Sequence, residues 1–128
     1  AELFFRDVKV PKSNVLGDPR KGFHYLMHSL AEEGLIGAAQ FLANAQRSFE
    51  VTREFVAQRK VFGKPLSELQ NTRFKMASMR TELDVAQVFV DRCVELHNLG
   101  KLTSETAAQA KQELLAILDM ARRAHEGT

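Results

Sequence analysis

The chain has 128 residues, of which 45% are apolar and 27% charged, and its formal net charge is +2. This length and composition predict one globular domain, and the small net charge without a basic stripe argues against a nucleic-acid partner. Cys93 is the only cysteine, which excludes an internal disulfide and a zinc site built on thiolates and fits a reducing compartment.

Neither a secretory signal nor a membrane span is visible in the sequence. Charged residues interrupt the apolar positions of the first ten residues, and no apolar run elsewhere has the length that a bilayer requires. We therefore expect a soluble protein without membrane insertion in an intracellular, reducing compartment.

The first predicted element is a β-strand over Leu3–Val10, where aromatic and β-branched residues partly alternate with charged ones. No partner strand is visible, and a lone strand would leave its hydrogen-bonding groups unpaired. A connector rich in turn-forming residues follows at 11–20. We therefore expect residues 1–20 to be a strand and linker remaining from a missing β-domain, and residues 21–126 to form a helical domain.

A single long helix is predicted from about Lys21 to Lys60, because apolar residues recur there at the spacing of one helical face. Such a helix would be about 60 Å long, and Gly34 and Gly37 are the expected points of bending or close helix approach. The predicted core face comprises Phe23, Leu26, Met27, Leu30, Ala38, Phe41, Leu42, Ala45, Phe49, Thr52 and Val56.

Two more helices are predicted after a turn at 61–65, where a glycine and a proline interrupt the periodicity. Ser67 can cap the second helix, with Gln70 completing a capping box, and Gly100 ends it; the third begins near Thr103 with Glu105 in its first turn. The second core face comprises Leu69, Met76, Met79, Leu83, Ala86, Val90 and Val94, and the third comprises Ala107, Ala110, Leu114, Ile117, Leu118 and Ala121.

The predicted fold class is therefore all-α, an up-down bundle of three long antiparallel helices preceded by the orphan strand. Consecutive helices are antiparallel because their connections are short. Their apolar faces are wide enough to need a fourth neighbour, which we expect a partner chain to supply through oligomerisation.

Two segments of the sequence resemble the acyl-CoA dehydrogenase family. The family's passage from its middle β-domain into its C-terminal bundle is similar to Leu3-Phe4-Phe5-Arg6-Asp7-Val8-Lys9-Val10-Pro11, followed by Asn14-Val15-Leu16-Gly17 and Lys21-Gly22-Phe23. The turn between the first two helices of that bundle is similar to Arg59-Lys60-Val61-Phe62-Gly63-Lys64-Pro65-Leu66 with Leu69-Gln70-Asn71. The likeness covers most of residues 2–111.

The resemblance implies the helical C-terminal part of an FAD-dependent acyl-CoA dehydrogenase, closest to the long-chain and isovaleryl branches, that works as a homodimer or homotetramer. The implied reaction is α,β-dehydrogenation of an acyl-CoA thioester, in which a carboxylate removes the α-proton and the β-hydride passes to the flavin. Because a carboxylate is a weak base for a carbon acid, such a site must polarise the thioester carbonyl and raise the pKa of its base by excluding water. We expect the isolated fragment to be inactive.

The resemblance assigns the catalytic base to Glu33. This residue follows Leu30 by three positions, which sets it beside the apolar face of the first helix. The alternative is that Glu32 and Glu33 are both solvated helix surface. The family often has an arginine directly after this glutamate, and Gly34 stands there instead.

The resemblance also implies that Arg59 and Phe62 contact the FAD of a neighbouring subunit, the arginine at the pyrophosphate and the phenylalanine toward the adenine. A guanidinium matches phosphate oxygens in fork geometry, and an aromatic ring offers a stacking surface. Gln70 is similar to a glutamine of the family that contacts the cofactor. The alternatives are that Arg59 is only a C-terminal helix cation, that Phe62 plugs the bundle end, and that Gln70 serves only the capping box.

Phe23, Tyr25 and Met27 stand where the resemblance implies an acyl-binding pocket, although aromatic and methionine residues at helical spacing also build ordinary cores. His24 and His28 are spaced i, i+4 but lack a third ligand, so no metal site is expected.

Two other interpretations remain open, because the family's glycine-rich Gln-x-x-Gly-Gly-x-Gly segment has no match in the sequence and because the sequence begins abruptly inside the predicted strand. The chain could be a non-enzymatic helical module for self-association or partner binding, which would assemble without affinity for flavin. It could also be a truncated or engineered chain without activity of its own, and a reading frame continuing upstream would decide this.

Overall fold

The computed structural model describes the backbone of residues 2–126 and the side chains of residues 2–123. Its helices are α1 (Gly22–His28), α2 (Leu30–Gln58), α3 (Gln70–Asn98) and α4 (Ser104–Glu126), and its strands are β1 (Lys60–Val61) and β2 (Lys64–Pro65). Short 3-10 turns lie at Lys12–Asn14, Pro19–Lys21 and Leu66–Glu68. The predicted all-α bundle of three long helices is confirmed.

The three long helices run up, down and up. A Cβ atom added at Gly34 would lie 3.1 Å from the Cβ of Ala107, and one added at Gly37 would lie 3.5 Å from Lys111. The contact from Gly34 to Ala107 is followed along both helices by the contact from Gly37 to Lys111, so α2 and α4 are parallel to each other and pack closely. Helix α3 runs in the opposite direction and packs against both, and Gln46 of α2 donates a 2.9 Å hydrogen bond to Gln87 of α3.

The core lies along one face of each long helix, as the periodicity predicted, because burying these faces against each other removes apolar surface from water. The predicted core position Val94 is wrong, since Val94 is exposed and its neighbour Cys93 is buried. Small side chains dominate where α2 meets α4, which permits the close approach expected at the glycines. The buried apolar residues are Leu35, Ala38, Leu42, Ala45, Phe49, Val56, Met79, Leu83, Ala86, Val90, Cys93, Ala107, Ala110, Leu114 and Ala121.

The predicted single helix from Lys21 to Lys60 is wrong in its first third. The helix is broken at Ser29 into α1 and α2, and not at Gly34 or Gly37, which lie inside α2. Nothing within the described part of the chain covers α1, so the predicted core positions from Phe23 to Leu30 are exposed. The apolar pattern there marks a face that needs a cover, and residues 2–123 do not provide one.

The predicted strand over Leu3–Val10 is also wrong for this chain, because the described residues 2–10 form no strand. A strand exists only through hydrogen bonds to a neighbour, and none is available here. The strands that do form, β1 and β2, make a small antiparallel hairpin between α2 and α3.

The helix ends agree only partly with the predicted caps. The capping box of Ser67 and Gln70 is wrong: Ser67 lies in a 3-10 turn, and α3 begins at Gln70 without a side-chain cap. The predicted stop at Gly100 is confirmed, because Gly100 has a φ of 66° and the Lys101 N–H donates to the carbonyl of Leu96, as in a Schellman motif. The Thr103 hydroxyl accepts from the N–H of Thr106 and caps α4.

The long helices described within residues 2–126 carry charged side chains along their length. None of them combines the length and the apolar composition that crossing a membrane demands.

Candidate functional site

The backbone at the tip of the hairpin has an unusual conformation. Lys60 pairs with Pro65 and Val61 with Lys64, which leaves Phe62 and Gly63 as a two-residue loop. Their φ angles are 53° and 80°. Positive φ at both central residues is the geometry of a type I′ turn, which matches the twist of the flanking strands.

Phe62 has an unfavourable conformation for a bulky residue. The left-handed region is normally occupied by glycine, asparagine or aspartate, and holding another residue there costs on the order of 1–2 kcal/mol. The ring gains no burial in return, because 95% of the residue is exposed. The interpretation that Phe62 plugs the end of the bundle is therefore wrong. An aromatic ring held in water on a strained turn is typical of a binding surface.

Replacing Phe62 with asparagine should therefore stabilise the isolated chain by about 1 kcal/mol, because asparagine tolerates positive φ. Urea unfolding followed by circular dichroism would measure this as a higher midpoint with an unchanged slope. The matched control is Phe74→Asn, at an exposed phenylalanine inside α3, where there is no positive φ to relieve and the same replacement should not stabilise the chain. A lower midpoint for Phe62→Asn than for the unmodified chain would show that the turn is not strained.

Arg59 ends α2 and precedes the hairpin directly. Its backbone is held on both sides, because its N–H donates to the carbonyl of Phe55 at 2.8 Å and its carbonyl accepts from the N–H of Leu66 at 2.8 Å. Its side chain is exposed and forms no ion pair or hydrogen bond with any side chain described in residues 2–123. A guanidinium on a fixed backbone, with its donors free, is suited to a bidentate anion such as a phosphate.

Gln70 is the first residue of α3 and is exposed, and its side chain has no hydrogen bond among the described residues. It lines a groove of about 570 Å³ together with Glu68, Arg73, Phe74 and Ala77. Arg73 and Phe74 were not singled out from the sequence. Their spacing of three and four residues from Gln70 could have identified them, because it places them on the same helix face.

Glu33 lies at the opposite end of α2. It is exposed in the first turn of that helix, and its N–H donates to the carbonyl of Ser29 at 3.0 Å. The 26 positions from Glu33 to Arg59 correspond to about 39 Å along a helix axis. The chain thus brings Arg59, Phe62 and Gln70 to one end of the bundle and leaves Glu33 at the other.

Phe23, Tyr25 and Met27 lie on α1, near Glu33 in the chain, and all three are exposed. Tyr25 differs from the other two because its hydroxyl accepts a hydrogen bond from the N–H of Asp18 at 3.0 Å. Phe23 and Met27, four positions apart, share one face of α1, and Tyr25 lies on the opposite face against the connector.

Two further apolar surfaces lie on the outer side of the bundle. Phe74, Val85 and Val88 are exposed along α3. A groove of about 340 Å³ runs between α3 and α4, with a floor that includes Ala86, Phe89, Leu114 and Ile117. Contiguous exposed apolar surface of this kind is typical of an interface.

The described side chains offer little other chemistry. Burial raises the pKa of the Cys93 thiol, which keeps it neutral and unreactive. No group of three or more potential metal ligands occurs among the side chains of residues 2–123.

Comparison with known proteins places these features in one family. The family described as "Acyl-CoA dehydrogenase, C-terminal domain" matches residues 20–124. The chain is 43% identical over 111 residues to the mitochondrial long-chain specific acyl-CoA dehydrogenase of Rattus norvegicus. The aligned residues are 87% of this chain and 26% of that protein.

Solved structures agree with the sequence comparison. The chain is similar to an acyl-CoA dehydrogenase from Geobacillus kaustophilus, with a TM-score of 0.85, 38% identity and coverage of 97% of this chain and 34% of that one. It is also similar to butyryl-CoA dehydrogenase from Megasphaera elsdenii, with a TM-score of 0.80, 36% identity and coverage of 94% and 30%. The chain thus spans only about a quarter to a third of the length of these relatives, and it belongs to the acyl-CoA dehydrogenase family as its helical C-terminal domain.

Proposed function

We propose that the chain is the helical part of an FAD-dependent acyl-CoA dehydrogenase that oxidises acyl-CoA thioesters to their α,β-unsaturated products. The observation that carries this proposal is the exposed pair Arg59 and Phe62, held on a strained hairpin inside a domain of this family. In the same proposal, residues 1–20 belong to the preceding domain and residues 21–126 form the helical domain.

The residues at the hairpin suit the chemistry of FAD. The pyrophosphate needs a bidentate cation, which the unpaired guanidinium of Arg59 supplies. The adenine offers a flat aromatic surface, against which the ring of Phe62 can stack. The free amide of Gln70 can donate or accept a hydrogen bond. Lys60 and Lys64, one on each strand of the hairpin, add positive potential.

This hairpin and Glu33 serve different flavin molecules in the proposal. The two ends of α2 are about 39 Å apart, which is longer than an extended FAD molecule. A flavin whose reactive ring lies beside Glu33 therefore cannot reach Arg59 of the same chain. We infer that Arg59, Phe62 and Gln70 contact the FAD of a neighbouring subunit, which makes the enzyme an obligate homodimer or a larger homo-oligomer. The exposed apolar surfaces of α3 and α4 support association.

Glu33 is the proposed catalytic base. Its carboxylate would remove the α-proton of the thioester, and FAD, when bound, supplies the acceptor for the β-hydride. Glu33 is exposed in this chain, and a carboxylate becomes a stronger base only when water is excluded from it. We therefore expect the remainder of the whole enzyme to cover the start of α2, and the isolated chain to be inactive.

Tyr25, which the resemblance grouped with the acyl pocket, faces the connector, so the proposed wall of the pocket is Phe23 and Met27. Their exposed apolar side chains precede Glu33 by six to ten positions, so an acyl chain lying on them could present its α-carbon to the carboxylate. Removing this surface from water on binding would contribute roughly 25 cal/mol for each Å² buried. Because relatives include mitochondrial enzymes, we propose the mitochondrial matrix or the bacterial cytoplasm as the location.

The proposal is tested by joining the chain to the rest of an acyl-CoA dehydrogenase, adding FAD, and following flavin absorbance with acyl-CoA thioesters of several lengths. We expect the absorbance to fall with at least one thioester. A Glu33→Gln variant, which keeps the size but removes the base, should bind FAD and leave the absorbance unchanged. If the protein assembles tightly and shows no affinity for FAD, the non-enzymatic association module is the correct interpretation.

A further inference from the structure

The contact between Tyr25 and the connector before α1 is unusually close. The Tyr25 hydroxyl accepts the N–H of Asp18 at 3.0 Å, across seven residues. Gly17 has a φ of 67°, and a Cβ atom added there would lie 2.6 Å from the hydroxyl oxygen and 2.8 Å from Cζ of the ring. The ring of Tyr25 therefore lies against the backbone of Gly17, and only glycine fits this position.

The connector itself is closed by its own hydrogen bonds. The Asp18 carboxylate accepts from the backbone N–H of Arg20 at 3.0 Å and from the Arg20 guanidinium at 3.2 Å through both oxygens. The Asp18 carbonyl also accepts from the N–H of Lys21 at 2.9 Å. Residues 18–21 thus form one compact turn, and Tyr25 joins this turn to α1.

Helix α1 needs such a contact. It has only seven residues and buries none of them, and helices of this length are marginal in water without outside contacts. It also contacts α2 only slightly, and the break at Ser29 has no side-chain cap. The order of α1 must therefore come in part from the connector.

We propose that Tyr25 is a positioning residue whose hydroxyl latches the connector onto α1, so that residues 17–28 move as one unit about Ser29. The unit carries Phe23 and Met27, so the latch sets where these side chains lie relative to Glu33. This consequence rests on the proposed function, whereas the latch itself rests on the geometry of residues 17–25.

The latch is tested first in the 128-residue chain by amide hydrogen exchange. Tyr25→Phe removes the hydroxyl and keeps the ring, and it should accelerate exchange at Asp18 and in α1 by about threefold to tenfold while α2 to α4 are unchanged. Gly17→Ala places a methyl group where the Tyr25 ring lies, which displaces the ring from the connector, and it should give the same pattern of faster exchange. His24→Gln, on the same helix but outside the latch, is the control. Unchanged exchange at Asp18 in both latch variants would overturn the proposal.

The positioning role is tested in the full-length enzyme. Tyr25→Phe should raise the KM for acyl-CoA severalfold with kcat nearly unchanged, because the loosened unit must be ordered by the substrate. If the variant only folded less completely, the maximal rate per amount of protein would fall and KM would stay the same. That result would overturn the positioning role. An unmodified enzyme without any activity would refute the proposed function, and the exchange result would still decide on the latch.

Discussion

Leu114→Ala should lower the free energy of unfolding of the chain by about 2–5 kcal/mol, because it deletes a leucine side chain from the centre of the bundle and leaves a cavity. Leu114 is 1% exposed and belongs to the core that α4 forms with α2 and α3. Since domains of this size are stable by only about 5–15 kcal/mol, the variant should lose a large part of its stability. Urea unfolding measures the loss directly.

The next residue in the chain provides a matched control for this experiment. Leu115 is 45% exposed on the same helix, so Leu115→Ala makes the same chemical change outside the core. It should alter the free energy of unfolding by less than about 1 kcal/mol. Similar losses of stability for the two variants would mean that Leu114 does not lie on the face of α4 that packs against α2.

Arg59→Ala should weaken binding of FAD to the full-length enzyme by about tenfold to a hundredfold, because it removes charge-assisted hydrogen bonds worth about 1.5–3 kcal/mol. The fold should be unaffected, since only the backbone of Arg59 is hydrogen-bonded within the described residues. Titration with FAD, followed by flavin fluorescence, measures the dissociation constant. Arg59→Lys should recover only part of the affinity, because an ammonium cannot bind phosphate in fork geometry.

Arg92→Ala is the control for loss of a surface arginine. Arg92 pairs with Glu95 at 2.8 Å on the exposed face of α3, far along the helix from the hairpin. We expect unchanged affinity for FAD and little change in stability. If Arg92→Ala weakens FAD binding as much as Arg59→Ala does, the hairpin has no special role.

The long helices could be predicted from the sequence because their apolar faces cover one another inside the chain. Leu42, Leu83 and Leu114 each belong to the apolar face of a different long helix, and each is buried by the other two helices. The same kind of pattern at Phe23 and Leu26 led to a wrong core prediction. Periodicity identifies a face that requires a cover, but it does not say which molecule supplies it.

Local backbone features were harder to predict. The break at Ser29 has no proline or glycine to mark it, and Gly34 serves close packing against Ala107 in place of bending. The hairpin was missed because Phe-Gly is not a usual type I′ sequence, in which asparagine or aspartate precedes the glycine. The departure from that rule is also the feature that distinguishes the candidate site.

The candidate site residues were identified from the resemblance, and the structure adds what the motif lacked. The motif alone did not indicate that the Phe62 ring is exposed on a strained turn, or that the Arg59 side chain is unpaired among the described residues. Their large separation from Glu33 along α2 is the basis for assigning them to a neighbouring subunit.

Mixing two full-length variants that are each impaired alone tests this assignment most directly. Glu33→Gln and Arg59→Ala subunits would be denatured together, refolded with enough FAD to fill the unmodified sites but not the Arg59→Ala sites, and assayed for acyl-CoA oxidation. If Arg59 serves the neighbour's flavin, a mixed dimer has one site with both residues intact, and random mixing should restore about a quarter of the unmodified activity. Activity no higher than that of either variant alone would contradict the account.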